Sequence, residues 1–248
     1  MLYLIGLGIG GIGDITIKGA EYLKKSNIIF MEEYTCPLNI DLKELERLAG
    51  KKITVLDRKG TEEGGIIVKN ALEKNVAFLV GGDPLSATTH KELLIEAKKK
   101  GIEFEVVHSS SIFSAVAECG LELYNFGKTV SLPFFVKNFA PASPYENIEK
   151  NLSNHLHTLL LLDVGMDIET AMKQLLELES RIKHNLFTQR TKLIVLKDIG
   201  SVDSSIKYSS IGTLRTFFPQ KSKIALFCLV IPAKLNFKEK EYLTEIIE

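Results

Sequence analysis

The residues best suited to chemistry begin close to the N-terminus. Gly6-Leu7-Gly8-Ile9-Gly10-Gly11-Ile12-Gly13 places five glycines in one short segment. Without a Cβ, such a backbone turns sharply and can approach a ligand closely. Gly6, Gly8 and Gly11 satisfy the G-x-G-x-x-G spacing of dinucleotide folds, and Glu32 and Glu33 fall where a ribose-binding acid is expected. Taken alone, these residues point to a nicotinamide- or flavin-dependent oxidoreductase. The motif is short, however, and a tight strand-to-helix turn with no ligand explains it equally well. Asp14 is a candidate cap for the next helix. That would leave a longer loop than a phosphate-binding turn needs.

Three further segments carry polar residues at telling places. Gly81-Gly82-Asp83-Pro84-Leu85-Ser86-Ala87-Thr88-Thr89-His90 directly follows an apolar run, Val76–Val80. The carboxyl ends of parallel strands form a binding edge, and Asp83 there could accept hydrogen bonds from a ligand. A plain Asp-Pro turn, with Ser86 or Thr88 capping the following helix, is the competing explanation. His108-Ser109-Ser110-Ser111-Ile112 follows another apolar run and starts a helix. Free N–H groups and hydroxyls at a helix start can hold a small polar ligand or simply cap the helix. His155 and His157 stand two apart before Leu159–Leu162, with no carboxylate or cysteine at a recognisable ligand spacing. They read as structural, and no metal is expected. There is no G-x-S-x-G, H-E-x-x-H or G-x-x-x-x-G-K-[ST] string. The sequence thus gives no sign of a hydrolase triad, a zinc protease or a P-loop NTPase.

The elements that must position these residues follow from periodicity. Leu2–Leu7, Ile28–Met31, Ile53–Leu56, Val76–Val80 and Phe104–His108 are predicted strands. Amphipathic stretches at Thr16–Lys25, Leu42–Leu48, Ile66–Glu73 and Thr88–Lys100 separate them. Continuous apolar strands alternating with helices indicate a parallel sheet covered on both faces. The second half is less regular. Strands are expected at Thr129–Leu132, Thr158–Leu162, Leu193–Leu196 and Ile224–Ile231, with another at Ile206–Leu214. Helices are expected at Ile112–Cys119, Tyr145–Asn154, Ile168–Lys183 and Lys238–Ile247, and a proline-rich loop at Pro133–Pro144. The fold class is α/β, with one α/β domain over residues 1–107 and another over 108–248.

Composition narrows the partners. The chain has 248 residues, and its 31 Lys+Arg balance 31 Asp+Glu to a formal net charge of zero. A nucleic-acid binder usually shows a basic footprint, so nucleic acid is not expected. Cys36, Cys119 and Cys228 are odd in number and far apart, which disfavours a disulfide framework or a thiolate zinc site. The start MLYLIGLGIGG reads as a first strand and not as a signal peptide. No apolar run approaches the ~18 residues needed to cross a membrane. A reducing cytoplasm is the expected compartment.

The order of these segments resembles the diphthine synthase family. YLIGLG, DITIKG from Asp14, the EEYT run from Glu32 and VAFLVGGDPLSATTH ending at His90 carry the likeness. HSSSIFSAV from His108, LYNFGKTVS from Leu123, LHTLLLLD from Leu156 and KEYL near Tyr242 continue it. A Gly-Asp-Pro loop alone marks the wider tetrapyrrole-methylase fold. The GDP-x-x-ATTH and LHTL-x-x-LD strings are more specific. The resemblance implies two α/β domains of that type, S-adenosyl-L-methionine in the cleft between them, and a homodimer. The implied activity is methylation of the amino group of a 3-amino-3-carboxypropyl-histidine on elongation factor 2. Ile9, Asp83, Ser86, Ser111, Ile112 and Leu162 fall on the family's cofactor-binding positions. So do Ile199 and Phe227, where this chain departs from the pattern. The family's L-A-R-x-G-S run reads Leu196-Lys197-Asp198-Ile199-Gly200-Ser201 here. Phe227 stands where a histidine is common, and the P-G-K-L-H run reads Pro232-Ala233-Lys234-Leu235-Asn236. No catalytic residue is assigned. A base would be His90, Glu32, Tyr34 or water. An NAD(P)-dependent oxidoreductase, a ligand sensor and a small-molecule methyltransferase of the same fold remain as alternatives.

Overall fold

The structure, a computed structural model, describes residues 1–34, 40–62, 65–218 and 225–247. Thr35 and Cys36, and Ile224 at the start of an expected strand, lie outside the described residues. The chain forms two compact units, Met1–Ala115 with Gly200–Val202, and Val116–Ile199 with Asp203–Glu248. Sequence places a division after Val107; the first unit also keeps the helical turn that follows, up to Ala115.

The first unit alternates strands and helices. β1 (Leu2–Gly6), α1 (Ile17–Lys25), β2 (Ile28–Glu32), α2 (Leu42–Ala49) and β3 (Ile53–Leu56) come first. α3 (Arg58–Glu62), α4 (Ile66–Ala71), β4 (Val76–Val80), α5 (Lys91–Lys99), β5 (Phe104–Val107) and α6 (Ile112–Ala115) follow. All five strands are parallel, in the order β3-β2-β4-β1-β5. Their side chains alternate between two cores, as a pleated strand requires. Leu2, Leu4, Val76, Phe78 and Val80 face one core with Ile67 and Val68 of α4 and Ala97 of α5. Tyr3, Ile5, Ala77 and Leu79 face the other with Leu23 of α1 and Leu45 of α2. Helices on both faces leave only the strand ends for binding, so the carboxyl edge of this sheet is the place to look.

The second unit is mixed. It contains β6 (Val130–Leu132), α7 (Ser143–Ser153), β7 (Thr158–Leu162), α8 (Ile168–Ile182) and β8 (Lys192–Lys197). β9 (Ser205–Ser210), α9 (Ile211–Phe217), β10 (Phe227–Ile231) and α10 (Phe237–Tyr242) complete it. The strand order is β6-β7-β10-β8-β9, with β6 and β7 parallel and the other neighbours antiparallel. Leu132, Leu160, Leu193, Val195, Leu229 and Ile231 form one face of its core against Tyr145, Met172, Leu175 and Leu214.

Several expected bounds move, each for a local reason. Ile206–Leu214 is not one strand. It stops at Ser210, whose hydroxyl accepts from Thr213 N–H and starts α9. The first helix is capped by Thr16, not Asp14, because Asp14 turns back into the glycine loop. The helix after Val80 begins at Lys91, because Thr88 spends its hydroxyl on the Pro84 carbonyl at 2.6 Å. Ile112–Cys119 splits into α6 and a 3-10 turn, Val116–Cys119. The loop Pro133–Pro144 ends early, since Pro144 sits in the first turn of α7, where its missing N–H is harmless.

Candidate functional site

Three loops leave the carboxyl edge beside one another, after β1, β4 and β5. Adjacent strands bring them together, and hydrogen bonds lock them. Gly8 and Gly82 exchange backbone bonds, N–H to carbonyl, at 3.1 and 2.8 Å. Both adopt positive φ, +71° each, which glycine tolerates without strain. The loop after β1 thus continues the sheet for one more pair with the loop after β4.

Asp14 organises the glycine loop from within. One of its carboxylate oxygens accepts from Gly10 N–H at 2.8 Å, Ile9 N–H at 3.1 Å and the Ser110 hydroxyl at 2.6 Å. Burial pushes this carboxyl up, but the Ser110 hydroxyl and the two N–H groups outweigh it and hold it below its ordinary value. The consequence decides between ligands. A pyrophosphate needs the glycine-loop N–H groups, and here a carboxylate already occupies those of Ile9 and Gly10. A phosphate placed there would meet an anion within a few ångströms. α1 also starts only at Ile17, after a 3-10 turn at Ile12–Asp14, so its N-terminus is set back from the loop. Glu32 is buried, with its carboxylate accepting from Tyr34 N–H at 3.0 Å, so it is not presented to a ribose. The dinucleotide reading of Gly6–Gly13 is therefore not favoured.

Asp83 ties the loop after β4 to the one after β5. Its Oδ1 accepts from Leu85 N–H and the Ser86 hydroxyl, both at 3.1 Å. Its Oδ2 lies 2.8 Å from His108 Nδ1 and 3.3 Å from Ser109 N. Burial raises its pKa, and these bonds overcome that and lower it. The carboxylate is thus saturated by the protein. The pairing with His108 and the loop-organising role of Asp14 are what sequence missed. The signal for Asp14 is its place four residues past Gly10, within reach of a loop N–H.

Residues 200–202 group with the first unit, and Gly200 meets the glycine loop. A Cβ on Gly10 would lie 2.5 Å from the Gly200 carbonyl oxygen, and one on Gly200 would lie 2.8 Å from Ile9 Cγ1. Neither backbone could approach so closely with a side chain between.

At the start of α6 the geometry is open. Ser111 is buried, yet its hydroxyl has no hydrogen-bond partner among the described residues. Ile112, the first helical residue, has no intrahelical partner for its N–H. A hydroxyl and an N–H without protein partners, on loops that also carry the half-buried Ile9 and Ile112, suit a ligand with polar and apolar parts, such as a nucleoside.

In the second unit three positions share one sheet edge. β10 runs antiparallel to β7 and β8, pairing Cys228 with Leu161 and Phe227 with Lys197. The ends of β7 and β8 and the start of β10 therefore lie together. Leu162 and Phe227 are half-buried there, and Ile199 is buried just past β8. The Phe227 ring packs edge-on against Phe218, with centroids 5.7 Å apart. Asp198, at φ +47°, accepts from Leu226 N–H at 2.8 Å and makes the turn that carries Ile199.

Other expected chemistry is placed in structural roles. His90, a candidate base, is buried, with Nδ1 3.3 Å from the Pro84 carbonyl and its ring edge-on to Phe78. His157 takes a bond from Ala233 N–H on Nδ1 at 2.9 Å, with Nε2 3.1 Å from Glu239 Oε1. His155 is exposed and sits in a turn at φ +59°. No helix among the described residues is long and apolar enough to cross a membrane.

Comparison with known proteins adds a second line. The family model of the Tetrapyrrole (Corrin/Porphyrin) Methylases matches residues 1–214. The diphthine synthase of Methanocaldococcus jannaschii is 40% identical, covering 100% of this chain and 99% of that protein. The diphthine methyl ester synthase of Saccharomyces cerevisiae is 37% identical, covering 100% and 90%. A crystal structure of diphthine synthase superposes with a TM-score of 0.88 at 30% identity, covering 99% of this chain and 95% of that one.

Proposed function

This chain belongs to the tetrapyrrole methylase family and, within it, to the diphthine synthases, and we propose that it methylates the arm of a modified histidine on elongation factor 2. It is a methyltransferase of diphthamide biosynthesis. The methyl donor is S-adenosyl-L-methionine, which supplies an electrophilic methyl group on a sulfonium. The acceptor is the amine of the 3-amino-3-carboxypropyl group, presented by a folded protein in the cytoplasm. The enzyme works as a homodimer.

The observation that carries this reading is the pair of unused polar groups at Ser111 and Ile112 beside a glycine loop whose Ile9 and Gly10 N–H groups are occupied by Asp14. Such an edge suits a nucleoside and a carboxylate-bearing tail better than a diphosphate. Ile9, Ser86, Ser111 and Ile112 would contact the cofactor from the first unit, with Asp83 holding their loops. Leu162, Ile199 and Phe227 would contribute apolar surface. Ile199 and Phe227 replace a small residue and a histidine of the family pattern, so packing replaces a polar contact at the adenosine. Positioning can supply ~7–11 kcal/mol toward transfer. A general base adds about 10²–10⁴-fold, the smaller share.

The test uses labelled S-adenosylmethionine and elongation factor 2 with and without the aminocarboxypropyl arm. Mass spectrometry should find methyl groups on the armed factor and none on the unmodified one. Methylation of the bare factor, or none of the armed factor while the cofactor binds, would overturn the assignment. Calorimetry should show S-adenosylmethionine binding and no comparable heat with NAD.

A further inference from the structure

An amine acceptor arrives as an ammonium at neutral pH and has no lone pair until it loses a proton. Two of the bases expected from sequence, His90 and Glu32, are buried. His90 is held against the Pro84 carbonyl of the Gly-Asp-Pro loop, and the Glu32 carboxylate accepts from the Tyr34 N–H. A different imidazole stands at the carboxyl edge. His108 directly follows β5, three residues before Ser111, and its side chain is 69% exposed. Its Nδ1 lies 2.8 Å from Asp83 Oδ2, while its Nε2 has no partner among the described residues.

We propose that His108 is the general base that removes the acceptor's proton, oriented by Asp83. This rests on the reading of the chain as an amine methyltransferase. A carboxylate accepts from Nδ1–H, so the neutral ring keeps its proton on Nδ1 and presents the Nε2 lone pair outward. Asp83 cannot swing away, because Leu85, Ser86 and Ser109 hold the same carboxylate. It is the titratable group bonded to the ring, and its lowered pKa keeps it ionised at neutral pH. Asp14, the other carboxylate of these loops, is turned onto Ile9, Gly10 and Ser110. The step balances simply. Nε2 takes one proton from the ammonium. The freed nitrogen lone pair forms the N–C bond as the C–S bond breaks with its electrons going to sulfur. One proton leaves for each methyl group added to nitrogen, and solvent collects it from the exposed imidazolium.

Two variants and two kinds of readout test this on the full-length chain. His108→Asn keeps a side-chain N–H where Nδ1 stood, so the bond to Asp83 and the loop survive. Its affinity for S-adenosylmethionine by calorimetry should stay within about twofold of the parent. Its kcat on the armed factor should fall about 10²–10⁴-fold near neutral pH and recover as pH rises, because the free amine then forms without help. KM for the factor should move little. Nitrogen-detected NMR of the ligand-free protein supplies the second readout. The parent should show the neutral His108 proton on Nδ1, and Asp83→Asn should move it to Nε2. Wild-type kcat with an unchanged pH profile in His108→Asn would overturn the proposal. So would loss of cofactor binding in that variant, or a parent ring with its proton on Nε2. A parent chain that binds cofactor but never methylates the armed factor would instead overturn the reading beneath it.

Discussion

A carboxylate at this edge matters less for its charge than for what it fastens. Asp14 and Asp83 are both held below their ordinary carboxyl values by hydrogen bonds that outweigh burial. The sign of the linkage follows. A carboxyl whose folded pKa is depressed contributes stability that is fully present above its unfolded value of 3.8. That contribution disappears as pH falls from there through the lower folded value. Acid titration followed by circular dichroism should therefore show the parent losing stability below about pH 4 more steeply than Asp14→Asn. Parallel curves would show that the Asp14 bonds add nothing. The same variant should lose about 1.5–3 kcal/mol of stability at neutral pH, the usual worth of charged hydrogen bonds. Gly10 makes a sharper test of close approach. An alanine Cβ there would sit 2.5 Å from the Gly200 carbonyl oxygen, a backbone atom that cannot rotate aside. Gly10→Ala should weaken cofactor binding at least about tenfold by calorimetry, the effect of ~1.4 kcal/mol. Unchanged affinity would mean that residues 200–202 do not bear on the ligand.

At the scale of elements, what is legible in the sequence is what periodicity controls. Ile53–Leu56, Val76–Val80 and Thr158–Leu162 are strands with the expected bounds, because each is an apolar run cut off sharply by polar or glycine residues. Ile206–Leu214 reads wrongly as one strand because Ser209-Ser210 breaks the run with a cap that also looks like strand. α3 gives no signal, since Arg58–Glu62 has no apolar stripe to announce it. The site is half legible. Its loops can be placed from Gly81–His90 and His108–Ile112. The bonds from Asp83 to His108 and from Asp14 to Ser110 span 25 and 96 residues, and no local pattern encodes such separations. The C-terminal helix shows a further device of this kind. Asn236 and Glu239 cap α10 reciprocally, and Glu239 also reaches His157 and the Glu122 N–H. Asn236→Ala loses one side of the capping box and should cost about 1 kcal/mol in chemical denaturation. Glu239→Ala strands a buried histidine as well and should cost more. Equal losses would mean that the bond to His157 contributes nothing.

The whole molecule carries no net charge, with 31 basic side chains balancing 31 acidic ones. This has a consequence for how a large partner is found. A protein with excess charge draws an oppositely charged partner through a field that reaches beyond a Debye length, about 8–10 Å near physiological salt. A balanced chain exerts no such long-range pull. Its encounters depend on patches at contact range, where desolvation and shape outweigh screening. The remote surface of the elongation factor would then supply binding energy that positions a small amine at the carboxyl edge. Salt separates this from electrostatic capture. A nucleic-acid binder that neutralises about 6–10 phosphates loses about 10³–10⁵ in affinity between 50 and 200 mM salt, and charge-driven docking between proteins weakens in the same direction through screening. Here KM for the armed factor should rise less than about threefold over that range, with kcat unchanged. The measurement is a steady-state methylation series at fixed, saturating S-adenosylmethionine. A rise of a hundredfold would place a charged patch at the centre of recognition, and neutrality of the whole chain would then say nothing about how it docks.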